Sequence, residues 1–192
     1  MQVILQIDGS AAEYSSQKKQ CHLRPPATCP HCGSGKSLRA LGYYRRHVSG
    51  TAKTVLPIYV RRFRCVICRR TVSLLPSFAQ PYRLVLNEVI QAVIANDAFN
   101  STTQPWAPLI RQYWHRFCAF LPDLCCAVEG ISSLSFVSDS PEKSWAMLLS
   151  WGGLLSAATR RLTNQARVTP FGRYRCHFPY HEKVHTPYMF PP

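Results

Sequence analysis

Two cysteine pairs, Cys29-Pro-His-Cys32 and Cys65-Val-Ile-Cys68, constrain this chain more than any other feature. A Cys-x-x-Cys turn aims two thiolates at one ion, and two such turns supply the four soft ligands of a closed tetrahedral zinc site. Ordinary core thiols would not need paired spacing. A filled tetrahedron has no open position for substrate, so a single structural Zn²⁺ is expected, held by Cys29, Cys32, Cys65 and Cys68. His31, inside the first pair, is expected to point outward. Cys21-His22, upstream of Cys29, is a weaker substitute ligand.

The charge of the chain sits around these pairs. Residues 14–87 contain no Asp or Glu and fourteen Lys and Arg, while the other nine basic residues are matched by all nine acidic ones. The whole net charge of +14 therefore belongs to the segment that carries the cysteines. Four thiolates and one Zn²⁺ would lower it only to about +12. Such a patch repels itself, and a polyanion, most commonly nucleic acid, relieves that. Arg45, Arg46, Arg61, Arg62, Arg64, Arg69 and Arg70 are the candidate phosphate or base contacts. Alternation along the strand expected over residues 55–64 puts Arg62 and Arg64 on one face and Arg61 on the other. Tyr43 and Tyr44 are more often strand surface or core than stacking platforms for bases.

At 192 residues the chain is long enough for one domain, or for a small domain with an appendage. It has no apolar run of about 18 residues, so no membrane span is expected. MQVILQIDGS lacks the basic and apolar parts of a secretory signal. Nine cysteines, an odd number, suit a reducing cytoplasm better than a disulfide scaffold.

The pattern predicts an α+β fold: an N-terminal three-stranded zinc ribbon, a small helical region, then an irregular C-terminal tail. Residues 3–7 read as a short strand, followed by a polar stretch to residue 19. Residues 38–48, 55–64 and 70–75 read as the ribbon strands. Leu86, Val89, Ile90, Val93 and Ile94 repeat at helical spacing, predicting a helix over 83–95. Residues 96–104 read as a loop. Trp106, Leu109, Ile110, Tyr113, Trp114, Phe117 and Leu121 predict a second helix over 106–121, ended by Pro122. Its apolar stripe reads as core or as a self-association face. Ser140, Pro141 and Glu142 mark the start of a third helix, weakened at Gly152-Gly153. The domain boundaries follow as 1–82, 83–163 and 164–192.

The runs CPHCGSGKSLRALGYYRRHV and RRFRCVICRRTVSLLPSFAQPYR resemble the zinc-ribbon DNA-binding module at the N-terminus of bacterial insertion-sequence transposases. The chain is similar to small stand-alone transposase-like proteins of unknown function. The matching stretches are residues 29–33, 42–45, 62–71 and 74–76, and the resemblance covers about residues 1–95. One departure stands out: Arg69 occupies the place after the second pair where Gly33 follows the first. The resemblance implies DNA binding linked to mobile elements, with DNA favoured over RNA. It does not bring the nuclease, which needs two Asp and a Glu around two metal ions. The eight acidic residues beyond position 10 offer no convincing buried-strand setting for such a triad, so a binding protein rather than an enzyme is expected.

Competing readings are a protein–protein interaction module using the aromatic helix 106–121, and a metal-dependent nuclease with unrecognised carboxylates. A helix-turn-helix presenting Arg111 and Arg116 is a weaker variant of DNA binding. Cys118, Cys125 and Cys126 with His115, and Cys176, His177, His181 and His185, are two further metal-like groupings. Ordinary thiols and an irregular tail are the favoured readings of them. A Cys-His nucleophile pair lacks an orienting third group.

Overall fold

A computed structural model of the chain describes residues 1–17, 23–50, 54–96, 105–133, 135–136 and 139–173. The fold is α+β. Its sheet is built from β1 (Gln2–Leu5), β2 (Leu38–Ser49), β3 (Val55–Cys65) and β4 (Thr71–Pro76), in the order β1-β4-β3-β2. β2 and β3 form a long antiparallel hairpin, from Leu38 opposite Cys65 to Ser49 opposite Val55, with a bulge at Leu41. β4 returns antiparallel to β3 over a short span, Arg61 opposite Leu74 to Arg64 opposite Thr71. β1 adds a fourth strand, parallel to β4, with Gln2 opposite Ser73. Sequence periodicity sets the strands; it does not show that the first would pair with a segment some seventy residues on.

The polar stretch expected after β1 instead contains a short helix, α1 (Ala11–Ser16). A capping box starts it: Glu13 N–H donates to Ser10 Oγ at 3.2 Å, and Ser10 N–H donates to the Glu13 carboxylate at 2.6 Å. α1 covers β3 where that strand extends beyond β4. There the Tyr14 hydroxyl donates to the Tyr59 carbonyl at 3.2 Å, and the Ser15 hydroxyl to the Pro57 carbonyl at 2.7 Å.

The helices pack beyond the sheet. α2 (Asn87–Ala95) starts four residues later than predicted, because Val85 and Leu86 are extended and bridge to Ser49 and Ala79. Only residue 96 of the loop predicted over 96–104 falls within the described residues. α3 (Ala107–Glu129) runs through Pro122, where a stop was expected. An internal proline removes one hydrogen bond and strains the preceding turn, but Phe117, Leu124 and Val128 are fully buried on either side of it, and their packing holds the helix together. α4 (Pro141–Gly152) begins as predicted, with Lys143 N–H donating to Ser140 Oγ at 3.2 Å. It stops at the glycine pair, and α5 (Leu155–Arg161) folds back along it. Gly152 is needed for contact rather than conformation: a Cβ there would lie 2.6 Å from the Ala158 Cβ and 2.7 Å from its nitrogen.

The tail is less irregular than expected as far as residue 173. A π-helical turn (Leu162–Ala166) leads into a small hairpin, β5 (Val168–Thr169) and β6 (Gly172–Arg173), which buries Phe171. Asn164 reaches back to β1: its amide donates to the Ile4 carbonyl and accepts from the Ile4 N–H, both at 2.9 Å. A side chain thus substitutes for a neighbouring strand on the free edge of β1.

Two buried clusters result. The larger joins Ile4, Val48, Ile58, Val60 and Leu75 of the sheet to apolar residues of every helix and to Phe171. The aromatic stripe of α3 lies within it. Phe117 meets Trp145 edge-on at 5.2 Å, and Tyr113 lies 5.6 Å from Phe171. Trp106 packs at the margin, its indole N–H donating to the Gly50 carbonyl at 2.8 Å. The smaller cluster lies at the other end of the hairpin: Leu38, Phe63, Val72 and Leu74 with Cys29 and Cys65. No described helix is long and apolar enough to cross a membrane.

Candidate metal centre and the surface around it

The four cysteines converge. Leu38 pairs with Cys65 at the end of the β2–β3 hairpin, so the turn leading into β2 and the turn leaving β3 come face to face. The two turns are built alike. Cys29 N–H donates to the Ser34 carbonyl and Cys65 N–H to the Arg70 carbonyl, each at 2.9 Å and each spanning five residues. The fifth position of each turn is left-handed: Gly33 has φ +72° and Arg69 has φ +62°.

All four Sγ atoms lie within 4.8 Å of one another. Cys29 and Cys68 are 3.8 Å apart, and Cys32 and Cys65 3.7 Å. Four thiolates about 2.3 Å from a central ion lie about 3.8 Å from each other, the edge of a regular tetrahedron. A disulfide would need about 2.05 Å. The donor set therefore fits one tetrahedrally bound metal ion with no ligand position left over.

The surroundings favour the thiolate at two of the four sulfurs. The Ser37 hydroxyl, 3.3 Å from Cys65 Sγ, is the main influence holding that thiol down to about 6, with backbone N–H groups of Cys68 and Ile67 helping and burial opposing. The Ser34 side chain and backbone lower the Cys32 thiol in the same way. Burial, with the neighbouring thiols, pushes Cys68 up to about 11. Thiolates packed this closely repel one another, and a divalent cation relieves that. Ser37 gives no local signal in the sequence, because its contact is made across the hairpin. Ser34, two residues after Cys32, was visible as a hydroxyl within the turn. His31 is not among the converging ligands.

Among the described residues, these cysteines are the only group of three or more His, Cys, Asp or Glu side chains near enough to share an ion. Cys118, Cys125, Cys126 and His115 lie along α3 without forming one. Burial raises the Cys118 and Cys125 thiols. Cys21, His22, Cys176, His177, His181 and His185 lie outside the described residues.

The candidate arginines occupy both faces of the sheet, as alternation requires. Arg46 and Arg62 share the face of Ile58 and Val60; Arg45 and Arg61 take the other. Arg61 stacks over Tyr43, 4.6 Å from the ring centre, and over Phe63 at 5.3 Å; Arg62 lies 5.7 Å above Tyr44. The tyrosines thus hold guanidinium groups in place. Arg64, exposed, donates to the Arg69 carbonyl at 3.3 Å. Arg69 is exposed and Arg70 half-buried, both beside the cysteines. Arg46 differs: its guanidinium donates to the Gln80 and Arg83 carbonyls and ties the segment after β4 to β2. On α3, Arg111 and Arg116 are exposed.

Residues 29–111 match a family described as a domain of unknown function (DUF6431). No curated protein and no solved structure matches the chain.

Proposed function

We propose that this chain is a zinc-ribbon nucleic-acid-binding protein, directed to DNA and related to transposases, that binds without catalysing a reaction. The observation that carries the reading is a cationic surface around the cysteine centre whose arginines, among the described residues, have no carboxylate partner. Among the described residues the two ion pairs are Lys143 with Asp139 and Arg173 with Asp123, both far in sequence from the cysteine turns. Among the described residues, Arg45, Arg61, Arg62, Arg64, Arg69 and Arg70 form no ion pair with a carboxylate. Four thiolates at tetrahedral spacing favour Zn²⁺ as the ion, and the two turns with their antiparallel strands support the zinc-ribbon reading. The ion joins the turns and so fixes the strands that display the arginines. Phosphate contacts release counterions, so affinity should fall steeply with salt, by a slope of about six to ten for as many contacts on duplex DNA.

The test is binding of duplex DNA across a salt series, with and without a chelator. Steep salt dependence and loss of affinity on metal removal are expected. A flat salt response, or full binding without metal, overturns the proposal. Incubation of the complex with Mg²⁺ or Mn²⁺ should leave the DNA uncut. Of the Trp106–Trp114–Phe117 patch whose exposure would favour the interaction-module alternative, Phe117 is buried in the protein's own core and Trp106 and Trp114 are half-buried.

A further inference from the structure

One face of the sheet runs past the helices and forms an open groove of about 700 Å³. It crosses all four strands and is closed along one side by residues 82–84. Arg46, Arg62 and Arg83 line it together with Tyr44, Ser73 and Tyr82, and among the described residues no Asp or Glu does. The arginines are held differently. Arg46 is committed to the Gln80 and Arg83 carbonyls. Arg62 rests over the Tyr44 ring and, among the described residues, donates no hydrogen bond. Arg83 rests over the Tyr113 ring at 5.4 Å and reaches the Tyr82 and Phe171 carbonyls only at 3.3 and 3.5 Å. The Nε atoms of Arg62 and Arg83 are both buried and unpartnered. Two arginines with donors to spare, fixed by aromatic rings in a groove whose described lining holds no carboxylate, are a receptor for a phosphate group. Burial and the charge of Arg116 press Arg83 towards its neutral form, a stress that a bound anion relieves.

The lip adds a second element. Tyr82 is 52% exposed at the groove edge and has φ +56°, a conformation L-residues adopt at a cost. Leu84 beside it is 54% exposed. A ring and an apolar side chain held out beside a phosphate receptor form a surface on which an unpaired base can stack.

We propose that this groove seats one nucleotide of a single-stranded nucleic acid, its phosphate on Arg62 and Arg83 and its base against Tyr82. The inference rests on the nucleic-acid-binding reading above and adds that one surface of the protein selects unpaired strands.

The test uses the full, zinc-loaded chain with three probes: a labelled oligothymidylate, the same strand paired to its complement, and inorganic phosphate. Arg62→Gln should weaken oligothymidylate binding about tenfold and reduce its salt slope by about 0.7. Tyr82→Gly should weaken single-strand binding by about fivefold or more and leave duplex binding almost unchanged. Because position 82 is left-handed, that variant should melt no lower than the parent, which separates lost binding from lost folding. Lys143→Gln, at an exposed position on α4, should change neither. If the parent binds both strands and the groove variants bind them equally well, the groove assignment is overturned and the basic-surface reading stands. If the parent binds no nucleic acid, both fall. If Arg62 is needed only for inorganic phosphate, the groove is a small-anion site and the nucleotide is overturned as its occupant.

Discussion

Gly33 and Arg69 hold the same place in the two cysteine turns, at φ +72° and +62°, but only one suits it. A side chain in the left-handed region costs about 1 kcal/mol that glycine avoids. Arg69→Gly is therefore expected to raise stability by up to about 1 kcal/mol and, on the proposed function, to weaken DNA binding, since one exposed cation is lost. Thermal melting of the metal-loaded protein beside a DNA titration checks both signs; a fall in stability would show that the Arg69 side chain holds the turn. Tyr14 offers a pH test. Burial, with Tyr43 nearby, pushes its phenol up from 10.0 to about 12. The folded value is raised, so the stability it contributes is complete below about pH 10 and is lost as pH rises through about 12. Tyr14→Phe should cost about 1 kcal/mol at neutral pH through the lost bond to the Tyr59 carbonyl, and should flatten that alkaline decline in urea titrations. Residues of this kind differ in how far sequence reveals them. The cysteine cluster was legible because its two pairs are marked by local spacing. Arg46 was not: its acceptors, the Gln80 and Arg83 carbonyls, lie 34 and 37 residues away, and nothing near Arg46 announces them.

Among the elements, the strands and most helices follow from periodicity, and the misreadings have two causes. α1 and the small hairpin at residues 168–173 are too short to show a period, although Ser10-x-x-Glu13 is a visible capping signal. Pro122 is a fair stop signal in isolation, and only burial on both sides of it lets α3 continue. The turn between α4 and α5 shows how two glycines can serve different ends. Gly153 has φ +78° with open space around it, whereas Gly152 touches Ala158. Gly152→Ala must push backbone aside and should cost about 1–3 kcal/mol, read as a lower denaturation midpoint at unchanged m-value. Gly153→Ala meets no atoms and should cost about 1 kcal/mol from conformation alone. Equal losses at the two positions would contradict the contact argument.

For the whole molecule, the separation of the two buried clusters matters most. The smaller one, with Cys29 and Cys65 inside it, has few apolar side chains, whereas the larger draws on every helix. Metal removal should therefore unfold one end of the protein and spare the other. In hydrogen exchange after chelation, amides of residues 29–40 and 65–72 should lose protection while those of α2 and α3 keep it; simultaneous loss everywhere would mean that the clusters fold as one unit. Asn164 bears on another matter, the order in which a ribosome delivers the chain. β1 emerges some seventy residues ahead of its partner strand, and the amide that covers its outer edge comes 160 residues after Ile4. Until then a nascent strand rich in Val, Ile and Leu stands with open hydrogen-bonding groups, prone to pairing with other chains. Closing that edge therefore waits on residue 164, after every strand of the four-stranded sheet has been made.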